Sequence, residues 1–164
     1  DDWWEDASKE FKYSYIDILP NITNTITAHD VQVNSITAWD QSVIKKGIPY
    51  ELGKFNVDFK KSGEYKITLR RWPKESNLNL RDSIDDYIPA KKYWDQQLSG
   101  KSMNIVSAFI KIGDKEYKVD LSDNFKSASI NIDINSGQTS LEPGFILDNG
   151  QTSISFYTDI DFLF

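Results

Sequence analysis

Short runs in which apolar residues recur at every second position constrain this chain more than any other feature. Phe55, Val57 and Phe59 form one run, and Tyr65, Ile67 and Leu69 form the next. Ala108, Ile110 and Ile112 are answered by Tyr117 and Val119, and Ile130, Ile132 and Ile134 make a later run. A strand sends alternate side chains to opposite faces, so each run has one apolar face and one wet face. Turn residues separate the runs, which argues for an all-β, antiparallel β-sandwich rather than a parallel sheet with crossover helices. The pattern predicts a hairpin turning at Lys60-Lys61-Ser62-Gly63 and a second at Gly113-Asp114-Lys115. A turn around Asn135-Ser136-Gly137 then leads into a short run near Thr139 to Leu141, and Ser153 to Phe164 reads as a closing strand.

At 164 residues the chain is long enough to bury one core. Residues 1–12 read as a linker or interdomain segment, and 13–164 as the sandwich. The opening Asp1-Asp2-Trp3-Trp4 reads as part of a piece taken from a longer polypeptide. Two stretches interrupt the meander. Thr27 to Gln41 holds the single histidine, His29. Trp72 to Ser102 is an excursion of roughly 30 residues with weak periodicity, a length at which loops are usually functional or mobile. Within it, Tyr93 to Leu98 is expected to form a short helix.

Charge and composition remove several classes of function. A net charge of -6 disfavours a nucleic acid partner and offers no polybasic handle for an anionic membrane. No apolar run approaches the roughly 20 residues that cross a bilayer. Without cysteine there is no disulfide, thiolate nucleophile or thiolate metal site, and one imidazole is too few for a zinc site. A triad would depend on His29, yet no serine sits in a Gly-x-Ser-x-Gly elbow and Asp30 is its sequence neighbour. The acid pairs Asp85-Asp86 and Asp159 with Asp161 read as solvated surface, and Asp120, Asp123 and Asn124 lack the spacing of a calcium loop. No catalytic residue, metal or cofactor is assigned. Asn21-Ile22-Thr23 matches a glycosylation acceptor.

Aromatic residues beside planar polar groups remain as binding chemistry. They make up 13% of the chain. A sugar ring stacks its C–H face on Trp or Tyr while Arg, Asp, Asn and Gln take its hydroxyls. Trp39 with Asp40 and Gln41 offers that combination, as does Trp72 with Arg70 and Glu75. The strand from Gly63 breaks its alternation at Arg71, Trp72 and Pro73, and Pro73, with no N–H, stops the ladder. Arg71 at the rim of a core face calls for a carboxylate, and Glu75 is placed to supply one. The alternative for these tryptophans is to plug the ends of the sandwich.

Three segments in order resemble the C-terminal domain of type I sulfatases, the arylsulfatase and N-acetylgalactosamine-6-sulfatase group. They are Thr27-Ala28-His29-Asp30, then Trp39-Asp40-Gln41-Ser42-Val43-Ile44-Lys45-Lys46-Gly47, then Gly63 to Glu75 with its Leu-Arg-Arg-Trp-Pro-x-Glu pattern. Gly137 to Leu141 is similar to that domain's Gly-x-Thr-x-Leu turn, and the resemblance covers the chain from about Tyr13 onward. Val31 and Asp40 stand where the family usually has tryptophan and asparagine.

The resemblance implies a noncatalytic accessory domain of a secreted or periplasmic sulfatase acting on sulfated glycans. In that family a formylglycine and calcium do the chemistry in a separate N-terminal domain of the same polypeptide, which would be this chain's partner. His29, Asp30, Trp39, Gln41, Arg70, Arg71, Trp72 and Glu75 would then form a docking face or edge the substrate pocket. The second reading is a free-standing carbohydrate-binding module that stacks sulfated or neutral glycans on Trp39, Trp72, Tyr93 and Trp94.

Overall fold

The computed structural model describes residues 14–31, 41–84, 100–121 and 125–164. Its strands form two sheets packed face to face, the all-β sandwich that the alternation predicts. The larger sheet runs β1 (Ile16–Ile18), β3 (Phe55–Phe59), β8 (Gly137–Leu147), β5 (Ile105–Ile112), β6 (Lys115–Asp120), with β9 (Thr152–Ile154) beside the second half of β8. The smaller runs β2 (Asn24–Thr27), β10 (Tyr157–Phe162), β4 (Gly63–Arg70), β7 (Ala128–Ile134). All pairs are antiparallel except β1 with β3, which is parallel.

The two best alternating runs face each other across the core. Phe55, Val57 and Phe59 come from one sheet and Tyr65, Ile67 and Leu69 from the other, all at most 1% exposed. Each such side chain stabilises the fold by roughly 1.5–3 kcal/mol. Phe59 meets Tyr65 edge to face at 4.9 Å, and Tyr65 meets Phe162 at 5.2 Å. The Tyr65 hydroxyl donates to the Lys61 carbonyl at 2.7 Å, so the buried phenol keeps a partner.

This arrangement corrects the first predicted hairpin. β3 and β4 lie in different sheets, and Lys60 to Ser62 carries the chain across the sandwich. Alternation specifies which side chains turn inward, but two strands of one sheet and two strands facing across a core share that pattern. Gly63 makes the crossing possible. Its φ is +152°, and a Cβ there would lie 2.4 Å from the Phe164 carbonyl oxygen. The second hairpin forms as expected, with Ile112 paired to Lys115 around Gly113-Asp114.

β8 is longer than the short run expected near Thr139 to Leu141. It continues through Pro143 and Gly144 to Leu147. The proline falls where pairing with β3 has ended at Leu141 and pairing with β9 begins at Gly144. A Cβ at Gly144 would stand 2.5 Å from the Phe109 ring and 2.9 Å from Leu52 Cδ2, so a larger residue there would have to displace those side chains. The closing segment is two strands, β9 and β10, one in each sheet.

Between β4 and β5 the described residues contain only a 3-10 turn, Lys74–Ser76. The expected helix at Tyr93 to Leu98, the Asp85-Asp86 pair and the predicted linker 1–12 lie outside the described residues, as do Asp123 and Asn124.

Candidate functional site

The end of β4 sends consecutive arginines in opposite directions. Lys66, Thr68 and Arg70 alternate outward while Tyr65, Ile67 and Leu69 point into the core. Arg71 continues the inward series and is fully buried, with 0% of its surface exposed. It belongs to no strand, so its fork is free to reach the surrounding loops.

Arg71 binds backbone rather than a carboxylate. Its Nη1 donates to the Asp82 carbonyl at 2.9 Å and, more weakly, to that of Leu80 at 3.4 Å. Its Nη2 donates to the carbonyls of Ile44 at 3.0 Å and Lys101 at 2.6 Å. Ile44 lies in α1 (Gln41–Lys45), whose last carbonyls lack intrahelical partners. One guanidinium thus fastens α1 and both described ends of the long excursion to the end of β4. Burial pulls its pKa down to about 10, against an upward push from the Asp82 carboxylate, and it remains a cation at neutral pH. The guanidinium carbon also sits 4.4 Å from the Trp72 ring centroid.

The expected Arg71–Glu75 clamp is therefore not formed. Glu75 is exposed in the 3-10 turn, and the planar fork of Arg71 is taken by the carbonyls of Ile44, Asp82 and Lys101. Trp72 is 2% exposed and presents no face on which a sugar ring could stack. Its indole N–H is buried without an acceptor.

Arg70 forms the ion pair that Arg71 does not. Both of its terminal nitrogens bind Asp159 of β10, Nη2 to Oδ1 at 2.9 Å and Nη1 to Oδ2. Asp159 also accepts the Thr25 hydroxyl at 2.8 Å. This overturns the reading of Asp159 as solvated surface, since it is only 8% exposed. Its sequence partner Asp161 binds the exposed Thr23 hydroxyl at 2.5 Å instead. Register places Thr25, Asp159, Thr68 and Ser129 in one row across the whole smaller sheet, and the Thr68 and Ser129 hydroxyls are 3.0 Å apart.

Beside that row the outer face of the sheet is recessed into a groove of about 440 Å³. Thr68, Arg70 and Asp159 form its sheet side, and Lys74, Asn77 and Lys126 come from the flanking loops. Outward alternation in β4 marks Thr68 and Arg70 in the sequence. Lys74, Asn77 and Lys126 belong to no motif and were missed, because only the path of the loops brings them together.

The remaining predicted residues divide between this end of the sheet and undescribed segments. His29 and Asp30 are exposed in the 3-10 turn Ala28–Asp30, where the Asp30 carboxylate accepts the Thr27 N–H and hydroxyl, each at 2.9 Å. Thr27 pairs with Tyr157, which pairs with Arg70, so this turn and the end of β4 share one end of the smaller sheet. Trp39, Asp40, Tyr93 and Trp94 lie outside the described residues, and Gln41 opens α1. Among the described residues no three His, Asp or Glu side chains are grouped to hold a metal ion, and no helix is long and apolar enough to cross a membrane.

No family model and no curated protein matches the chain. Among solved structures it is similar to a ruminal GH26 endo-β-1,4-mannanase, with a TM-score of 0.46 and 13% identity. The match covers 92% of this chain and 27% of that one, so the chain spans little more than a quarter of the mannanase.

Proposed function

We propose that this chain is a noncatalytic β-sandwich accessory domain of a secreted or periplasmic sulfatase acting on sulfated glycans, packed against the catalytic domain of the same polypeptide. The observation that carries the reading is the Arg71 hydrogen bond to the Ile44 carbonyl, which joins two of the segments on which the sulfatase resemblance rests, 39–47 and 63–75. A motif with two adjacent arginines makes physical sense when one fastens the domain internally and the other organises its surface. The exposed His29 and Asp30, at the same end of the sheet, are left as the described part of the docking face, while Arg71 and Trp72 act within the domain.

The test is to isolate the whole polypeptide that carries this chain and to assay it beside the chain alone. The proposal expects a Cys/Ser-x-Pro/Ala-x-Arg segment in that polypeptide, hydrolysis of an aryl sulfate by the whole, and none by the chain. Absence of the segment, or turnover by the chain alone, would overturn it.

A further inference from the structure

The groove on the outer face of the smaller sheet has an excess of positive charge in an acidic protein. Among the described residues three cations, Arg70, Lys74 and Lys126, line it against one carboxylate, that of Asp159. That carboxylate is engaged by Arg70 and Thr25 and is not available to the lysines. Lys126 donates to the neutral Asn77 side-chain oxygen at 2.6 Å, and neither lysine has a carboxylate partner among the described residues. The whole chain carries -6, so these charges stand against the field of the molecule rather than with it.

Arg70 Nε and Trp72 Nε1, beside the groove, are fully buried and closed to a ligand, which leaves the two lysines as its ligand-facing cations. Two lysines without a carboxylate partner among the described residues select a ligand that carries anionic oxygen. The volume of about 440 Å³ falls within the range of small-molecule sites and is far larger than one tetrahedral oxyanion. Pro73 and Leu78 supply apolar wall, and the Thr68 and Ser127 hydroxyls supply neutral polar contacts.

We infer that this groove binds an acidic saccharide, its sulfate or carboxylate seated between Lys74 and Lys126 and its ring hydroxyls toward Thr68, Asn77 and Ser127. The inference deepens the accessory reading by giving the domain a ligand of its own, and it rests on that reading for a glycan as the carrier of the charge.

Calorimetric titration of the chain with a chondroitin 6-sulfate tetrasaccharide, a tetragalacturonate, a neutral mannotetraose and sodium sulfate tests it, with NMR shifts locating the contact. Either or both acidic oligosaccharides should bind, identifying sulfate or carboxylate as the recognised group, and mannotetraose should bind at least about tenfold more weakly. The doubly substituted K74A/K126A chain should lose at least about tenfold in affinity with its melting temperature unchanged. Shifts should cluster on Thr68, Asn77 and Ser127. If that variant does not fold, K74E alone should weaken binding in the same direction. Overturning results are no binding by either acidic oligosaccharide, equal binding of mannotetraose, sodium sulfate binding as tightly as the oligosaccharides, shifts elsewhere, or a folded lysine variant that binds normally. A polypeptide with sulfatase activity whose accessory chain binds nothing would sink the groove alone. Acidic saccharide binding by a chain from a polypeptide without the formylglycine segment would sink the sulfatase reading alone.

Discussion

Arg70 and Arg71 are neighbours in sequence and opposites in environment, and the contrast shows how one strand end serves both the interior and the surface. Arg71 is wholly buried and spends its Nη donors on backbone carbonyls of α1 and the long excursion, while its Nε stays buried without an acceptor. Arg70 keeps 12% of its side chain exposed and forms a bidentate pair with a carboxylate in the wall of a groove. A buried charge held by carbonyls is costly to disturb, because each orphaned carbonyl loses its donor without regaining water. A pair at the edge of solvent is disturbed more cheaply.

The largest effect should come from Arg71→Ala, which removes the donor from the Leu80, Asp82 and Lys101 carbonyls and leaves that of Ile44 only the Gly47 N–H at 3.4 Å. It is expected to destabilise the chain by at least about 3 kcal/mol in urea unfolding. Arg71→Lys should recover only part of this, since a lysine cannot reproduce the planar fork. Asp159→Ala is expected to lower stability by about 1–3 kcal/mol, by stranding a mostly buried Arg70 and the Thr25 hydroxyl. If the two substitutions prove equal in cost, the contrast between interior and surface is lost.

Tyr65→Phe leaves both arginines in place and sharpens the comparison as a control on the same strand. It should cost about 1 kcal/mol at neutral pH through loss of the bond to Lys61. Burial raises the Tyr65 phenol above its ordinary value of 10, so the native state holds that proton more tightly than the unfolded chain. Its contribution is fully present below pH 10 and is lost as the pH rises through the folded value. Urea midpoints below and above pH 10 should therefore fall less steeply in the variant. Glu75→Ala should be the smallest effect, within about 0.5 kcal/mol of the parent, because Glu75 is not the partner of Arg71. A large loss there would restore the clamp that the sequence suggested.

The strands were legible because their apolar residues alternate, and the inward set of β3 and β4 matches the reading residue for residue. What alternation cannot encode is the sheet to which a strand belongs, so the crossing at Lys60 to Ser62 looked like a hairpin. β8 runs on past the short stretch expected near Thr139 to Leu141, through Pro143 at a gap in pairing and Gly144 beneath the Phe109 ring. The importance of the Arg-Arg-Trp segment was visible, but its partners were not. Carbonyls carry no residue identity, so nothing in the sequence announces Ile44 or Lys101 as acceptors for Arg71. Asp159 lies 89 residues from Arg70 and was indistinguishable from other acids until β10 settled beside β4.

The most direct measurement is side-chain hydrogen exchange of the arginine Nη protons by NMR, which reads both arginines in one sample. The account predicts resolved, slowly exchanging Nη protons for Arg71 and much faster exchange for Arg70 at the groove. Rapid, solvent-like exchange at Arg71, or equal protection of the two residues, would contradict it.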